Sequence, residues 1–224
     1  IILRIDSPGG GVGPSQEIYR EVRKTIKTKK IIASMGSLAA SGGYYIAAGA
    51  DKIVANPGTI TGSIGVIMEF IRIEELLQKI GVGMEVIKSG EFKDMGSPHR
   101  QMSEREKELL TTLISDVQRQ FVAAVALGRN LSVSAVKEIA DGRIITGAQA
   151  KELGLVDALG NFRDAVDLAK KMTGIEGEVT LVYPKRPRQK FWDLIIEESA
   201  AALLGRIRNN PGTYLEYRWN GLPN

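Results

Sequence analysis

Short apolar runs alternate with amphipathic stretches along most of this chain, and that alternation narrows the possible folds more than any other feature. Residues 1–5 read as a buried strand, closed by Ser7-Pro8-Gly9-Gly10-Gly11, a turn that glycines can make tight. The spacing then predicts a helix over 14–28, with Ile18, Val22 and Ile26 on one face, and a strand over 30–35. A helix over 39–50, a strand over 52–55 and a Gly/Thr-rich loop over 57–65 follow. Residues 71–80 read as a helix, 84–87 as a strand and 89–101 as a polar loop. Ser103 and Glu106 make a capping box that opens a long helix to about residue 127. Beyond Gly128 the pattern predicts helices over 133–140, 147–153 and 161–172, an extended stretch over 143–146 and a last strand over 178–183. Strands alternating with helices imply an α/β layer fold with a largely parallel sheet. Pro184-Lys185-Arg186-Pro187-Arg188 breaks the pattern, so a domain over 1–183 is expected, followed by a basic linker, a helix over 191–207 and an irregular tail to 224.

Composition excludes several classes of function. The chain has no cysteine, which removes thiol nucleophiles, disulfides and thiolate metal sites together. Its single histidine, His99, rules out two-histidine metal motifs, and no metal or other cofactor is expected. The net charge of +4 is concentrated after residue 184, where Lys185, Arg186, Arg188, Lys190, Arg206, Arg208 and Arg218 outnumber Asp193, Glu197, Glu198 and Glu216. A nearly neutral body argues against nucleic acid as a partner. The basic stretch followed by Phe191 and Trp192 reads either as a contact for anionic lipid or as a solvated linker to a docked helix. No apolar run reaches the length of a membrane span. The chain opens on Ile1 inside a strand-like run, so any signal, anchor or earlier strand is expected upstream.

Three segments carry the chemistry. The Ser7–Gly11 glycines expose backbone N–H groups, which serve as oxyanion donors or a phosphate cradle, or simply make a tight turn. Neither G-x-x-x-x-G-K-[ST] nor a strict G-x-G-x-x-G is present to favour phosphate. In Ala39-Ala40-Ser41-Gly42-Gly43-Tyr44-Tyr45 a serine sits between a strand and a helix, flanked by small residues. It reads equally as an accessible nucleophile or as a packing seam. Lys88-Ser89-Gly90-Glu91-Phe92-Lys93-Asp94 is a polar loop whose lysines would ordinarily be solvated. A serine nucleophile needs a proton acceptor, however. His99 stands beside Arg100, whose charge opposes its protonation. A lysine serves when burial keeps its amine neutral.

Ser7-Pro8-Gly9-Gly10-Gly11, Met35-Gly36-Ser37-Leu38-Ala39-Ala40-Ser41-Gly42-Gly43-Tyr44-Tyr45-Ile46, Gly62-Ser63-Ile64-Gly65-Val66 and Ser89-Gly90-Glu91-Phe92-Lys93-Asp94 together resemble the signal peptide peptidase A family. These are Ser/Lys serine peptidases with a Clp protease/crotonase-like fold of repeated ββα units. The resemblance covers about residues 3–170 and matches the short, single-domain members, with the first strands expected upstream. It implies Ser41 as nucleophile, Lys93 as general base, Ser63 as the residue that holds the lysine amine, and the Gly10 and Gly42 amides as the oxyanion hole. It makes Lys88 a flanking charge.

The resemblance further implies a homo-oligomer in which serine and lysine come from neighbouring subunits. It implies a catalytic domain anchored to a membrane by an upstream segment, on the extracytoplasmic side, acting on signal peptides or other membrane-associated peptides. Competing readings are a head-maturation peptidase of phage type, a crotonase-like enzyme acting on an acyl-thioester, and a non-catalytic assembly protein that keeps the fold.

Overall fold

The apolar opening run forms β1 (Ile2–Ser7), and the glycines after it form a second, three-residue strand, β2 (Gly9–Gly11), rather than a turn. The computed structural model describes residues 1–184 and 216–218. The expected linker and the helix over 191–207 lie outside the described residues. Two compact units result: one combines Ile1–Met68 with Glu104–Ile175 and carries a short strand at 216–218, and the other contains Glu69–Ser103.

In the first unit α1 (Val12–Thr25) leads into β3 (Ile32–Ala40), nine residues buried except at Ser37. Val22 packs into the core as expected, whereas Ile18 is exposed. The helix expected over 39–50 is shorter, α2 (Gly42–Ala47), because Ala39 and Ala40 are taken by strand pairing. The strand β4 (Lys52–Ala55) has the expected bounds, and the expected loop over 57–65 contains β5 (Ile60–Gly62).

The length of β3 curls the sheet. One edge pairs in parallel with β1, from Ile2 opposite Ile32 to Ser7 opposite Ala39. The other edge pairs first with β4, at Ile32–Ser34, and then with β5, at Leu38–Ala40. One strand therefore serves two successive neighbours, and its C-terminal end, where Ser41 follows, lies between β1 and β5.

The second half of this unit closes the sheet. A 26-residue helix, α4 (Glu104–Arg129), begins directly after Ser103 and sends Phe121, Val122 and Val125 into the core. The short helix α3 (Glu74–Lys79) precedes it in the other unit. The helix α5 (Val133–Lys137), capped by Ser132, leads to β6 (Ile144–Thr146), which pairs antiparallel with β5. The helix α6 (Gly147–Glu152) is fixed by a capping box of Thr146 and Gln149, and the two-residue β7 (Ala158–Leu159) extends the sheet beside β4. The helix α7 (Phe162–Thr173) starts at an Asn161–Asp164 capping box and stops at left-handed Gly174. The last strand, β8 (Glu216–Arg218), pairs antiparallel with β2 in a two-stranded sheet separate from the main one.

Two expected strands are absent. Residues 84–87 and 178–183 have strand-like composition but no pairing partner among the described residues, and Met84, Val86, Ile87, Val182 and Tyr183 are exposed. A strand needs a neighbour to satisfy its backbone.

One ion-pair cluster clamps the distal edge of the sheet. Asp157 accepts hydrogen bonds from the Ile53 amide (2.8 Å) and Lys52 (2.9 Å), and pairs with Arg129 at 2.8 Å. Burial works to raise the Asp157 carboxyl pKa, but the Arg129 and Lys52 bonds outweigh it and hold the group below its ordinary value. Asp157→Ala leaves the nearly buried Arg129 uncompensated and should cost about 3 kcal/mol. A depressed folded pKa stabilises the protein above the unfolded carboxylate value and loses that contribution as pH falls through the folded value. Thermal unfolding of wild type and Asp157→Asn should therefore show a wide gap at pH 7 that narrows below about pH 4.

Candidate active site

Ser41 follows β3 immediately, in a backbone conformation that L-residues rarely adopt, φ 52° and ψ −116°. Two bonds hold it there: its amide donates to the Gly62 carbonyl (2.9 Å), and its carbonyl accepts from the Tyr45 amide (2.8 Å). The first anchors it to the end of β5 and the second to the first turn of α2. Strain of this kind, of order 1–3 kcal/mol, persists only where surrounding structure over-determines it. A sharp strand-to-helix turn of this type lifts a nucleophile out of regular secondary structure.

Ser41 is 1% exposed, and its hydroxyl has no hydrogen-bond partner among the described residues. Buried hydroxyls are nearly always paired, and an unpaired one costs about 1–3 kcal/mol. The core-packing alternative for this segment explains the neighbouring alanines but not a strained serine with an orphaned hydroxyl.

Ser63 occupies the equivalent place on the next strand. Ala40 and Gly62 are register partners, so the two serines are successive residues beyond one rung of the ladder. Ser63 also has positive φ, 49°, is buried, and donates its amide to the Arg143 carbonyl at 2.8 Å. Parallel pairing thus brings Ser41 and Ser63 to one end of the sheet.

The glycine strand comes to the same place. A methyl group at Gly42 would stand 3.3 Å from the Gly10 amide nitrogen and 2.6 Å from Ser15 Oγ. A methyl at Gly9 would stand 2.9 Å from the Gly42 amide nitrogen. The backbones of Gly9, Gly10 and Gly42 therefore lie so close together that no side chain fits at Gly9 or Gly42, whereas a methyl at Gly10 would meet nothing within 4 Å. Ser15 Oγ donates to the Gly11 carbonyl (2.9 Å) and steadies this strand.

Lys93 lies in the other unit, in a run of turns over 91–96, with its side chain exposed. Its amide donates to the Gly90 carbonyl at 3.2 Å. The loop around it is built on Asp94, which accepts from Arg100 Nε and Nη2 (both 2.8 Å) and from Lys88 (2.7 Å). Those hydrogen bonds, from Arg100 first and then Lys88, hold the Asp94 carboxyl well below the usual carboxylate range. Lys88 is thereby engaged as a flanking charge. His99 Nε2 is hydrogen-bonded to Ser97 Oγ at 2.7 Å within the same loop.

Sequence reasoning missed Tyr217. It is fully buried, stacked on Tyr45 with ring centroids 5.1 Å apart and tilted against Phe121 at 4.5 Å. Nothing in the aperiodic tail marked it. The aromatic pair Tyr44-Tyr45 was visible, but not which ring would meet it.

Among the described residues, no helix is long and apolar enough to cross a membrane. The family model described as Peptidase family S49 matches residues 23–176. A protein of Synechocystis sp. provisionally named a protease is 52% identical over 79% of this chain and 64% of its own length. One of Enterococcus faecium, provisionally named signal peptide peptidase SppA, is 45% identical over 82% of the chain and 54% of its own. The chloroplastic serine protease SPPA of Arabidopsis thaliana is 39% identical over 87% of the chain and 29% of its own. The chain thus spans less than two thirds of each relative.

Proposed function

Because this chain belongs to peptidase family S49, we propose that it is a serine endopeptidase with Ser41 as nucleophile and Lys93 as general base, degrading cleaved signal peptides or other membrane-associated peptides. The observation that carries the reading is the buried Ser41 hydroxyl, without a hydrogen-bond partner among the described residues, on a strained strand-to-helix turn close to the Gly10 and Gly42 backbone.

In this mechanism the neutral Lys93 amine takes the Ser41 proton as Oγ attacks a peptide carbonyl. The Gly10 and Gly42 amides stabilise the tetrahedral oxyanion. The lysine then protonates the leaving amine, and water hydrolyses the acyl-enzyme by the same route. Ser63 accepts the task of holding the amine. The Lys93 side chain is exposed, and an amine serves as a base where water is kept away from it. We assign that desolvation to a neighbouring copy of the chain, making the enzyme a homo-oligomer with shared sites. A membrane-anchored location on the extracytoplasmic side completes the proposal, since spent signal peptides are apolar and remain in the bilayer.

The test is covalent labelling. A fluorophosphonate should attach to Ser41, located by peptide mass mapping, and block hydrolysis of a soluble fluorogenic peptide. An acyl-thioester enzyme or a non-catalytic assembly protein would take no label. Absence of label from catalytically tested oligomer defeats the assignment.

A further inference from the structure

Resting on the peptidase reading, we propose that Gln118, midway along α4, is a positioning residue: it holds the Ser63–Ile64 turn at the point where Ser63 receives the Lys93 amine.

Ser63 needs holding, because it is a non-glycine residue with φ 49° one step past the end of β5. Such a conformation persists only where its surroundings impose it. The turn that leads into β6 acts from one side: the Arg143 carbonyl accepts from the Ser63 amide (2.8 Å), and the Gly142 amide donates to the Ile64 carbonyl (3.2 Å). The helix α4 acts from another, since Gln118 Nε2 donates to the same Ile64 carbonyl at 3.3 Å. The second proton of that nitrogen goes to the Ala140 carbonyl at 2.8 Å. One amide group thus ties the Ser63–Ile64 turn and the 140–143 turn to the helix together. The two turns are in backbone contact, for a methyl at Gly65 would stand 3.2 Å from Gly142 Cα. Asp141 stiffens the second turn by accepting from the Arg143 amide (3.0 Å) and guanidinium (2.6 and 2.8 Å).

A glutamine suits this place chemically. Both of its partners are carbonyl oxygens, so the amide presents its nitrogen to them and its own oxygen turns away. That oxygen is buried and has no hydrogen-bond partner among the described residues. A buried acceptor without a partner is unfavourable, and stability alone does not account for one. Among the described residues, Ser41 Oγ and Gln118 Oε1 are the buried side-chain atoms left in this state, and the first belongs to the candidate nucleophile. Val117 and Phe121 on the same helix are buried in the core, which fixes the turn of α4 that carries Gln118. Misplacing a catalytic group by about 1 Å lowers a rate on the order of 10²-fold. A clamp on the backbone of Ser63 therefore acts on turnover rather than on substrate binding.

The experiment uses full-length chains. Gln118→Met keeps the length of the side chain and loses both donors. It should lower kcat for a soluble fluorogenic peptide about tenfold with KM little changed. Gln118→Asn, which keeps the donors on a stem one carbon shorter, is the milder variant should Gln118→Met unfold, and should lose about threefold. In a Ser63→Ala background, Gln118→Met should add less than about a twofold loss, because a residue that acts through another is not additive with it. Hydrogen exchange read by mass spectrometry tests the clamp without turnover. Peptides spanning 62–66 should exchange at least about fivefold faster in Gln118→Met, while 36–41 keep their protection. A wild-type kcat in Gln118→Met, losses that multiply in full with Ser63→Ala, or unchanged exchange over 62–66 would overturn the proposal. Faster exchange over 62–66 in a protein that neither cleaves peptide nor takes fluorophosphonate would sink the peptidase reading and leave the clamp standing.

Discussion

Ser41→Ala should abolish peptide hydrolysis, by at least about 10⁴-fold in kcat/KM, while leaving the fold intact. The size of the loss follows from the role: without the hydroxyl there is no acyl-enzyme, and the Gly10 and Gly42 amides have no tetrahedral intermediate to stabilise. The small effect on stability follows from the structure. The Ser41 hydroxyl makes no hydrogen bond to any of the described residues, so its removal leaves none of them unsatisfied. The backbone bonds to Gly62 and Tyr45 that hold the strained turn are unaffected. The matched control is Ser37→Ala on the same strand, where the side chain is exposed and activity should hardly change. Initial rates and thermal unfolding on both variants check the pair. Substantial turnover in Ser41→Ala would remove this serine as nucleophile.

Lys93→Ala should be as damaging as Ser41→Ala, because nucleophile and base act as a unit and losing either forfeits nearly the whole effect. Lys93 is exposed on a turn whose shape depends on Asp94, Arg100 and Lys88, so the substitution should not disturb the loop. His99→Ala should leave most activity in place, since that ring is engaged with Ser97. If His99→Ala were lethal and Lys93→Ala tolerated, the Ser/Lys dyad would have to be abandoned. The same two variants test where the site is assembled. Ser41→Ala and Lys93→Ala chains refolded together should regain activity, because random mixing places an intact Ser41 against an intact neighbouring Lys93 at about one interface in four. A mass label verifies co-assembly. Activity that stays at the single-variant level in a verified mixed oligomer would show a dyad built within one chain.

Elements whose signal is local were legible. Short apolar runs, caps and glycine stops identified β1, β4, α4, α6 and α7 to within a few residues, because a helix cap or a buried run is written in adjacent positions. Elements that exist through pairing were misplaced. Ala39 and Ala40 suit a helix by composition, yet β5 takes their backbone into the sheet. Residues 84–87 and 178–183 suit strands, but no partner among the described residues completes them.

The candidate site divides along the same line. Sequence by itself determined its residue types: a serine among small residues, a run of glycines after a strand, a lysine in a polar loop, and no cysteine or second histidine to offer other chemistry. The motifs also named the family. What only the tertiary structure decided is how those residues meet. The register of β3 against β5 sets Ser41 and Ser63 one step beyond the same rung, and both turn into positive φ there. The glycine strand approaches Gly42 closely enough that a methyl group on either side would crowd the other's backbone. A three-residue strand from the far end of the chain then lies along those glycines and sets Tyr217 against Tyr45 and Phe121. Pairings between residues about 20 and 200 positions apart leave no mark on local propensity, since each partner's sequence is compatible with many neighbours; the backbone hydrogen bonds and the packed rings select one of them.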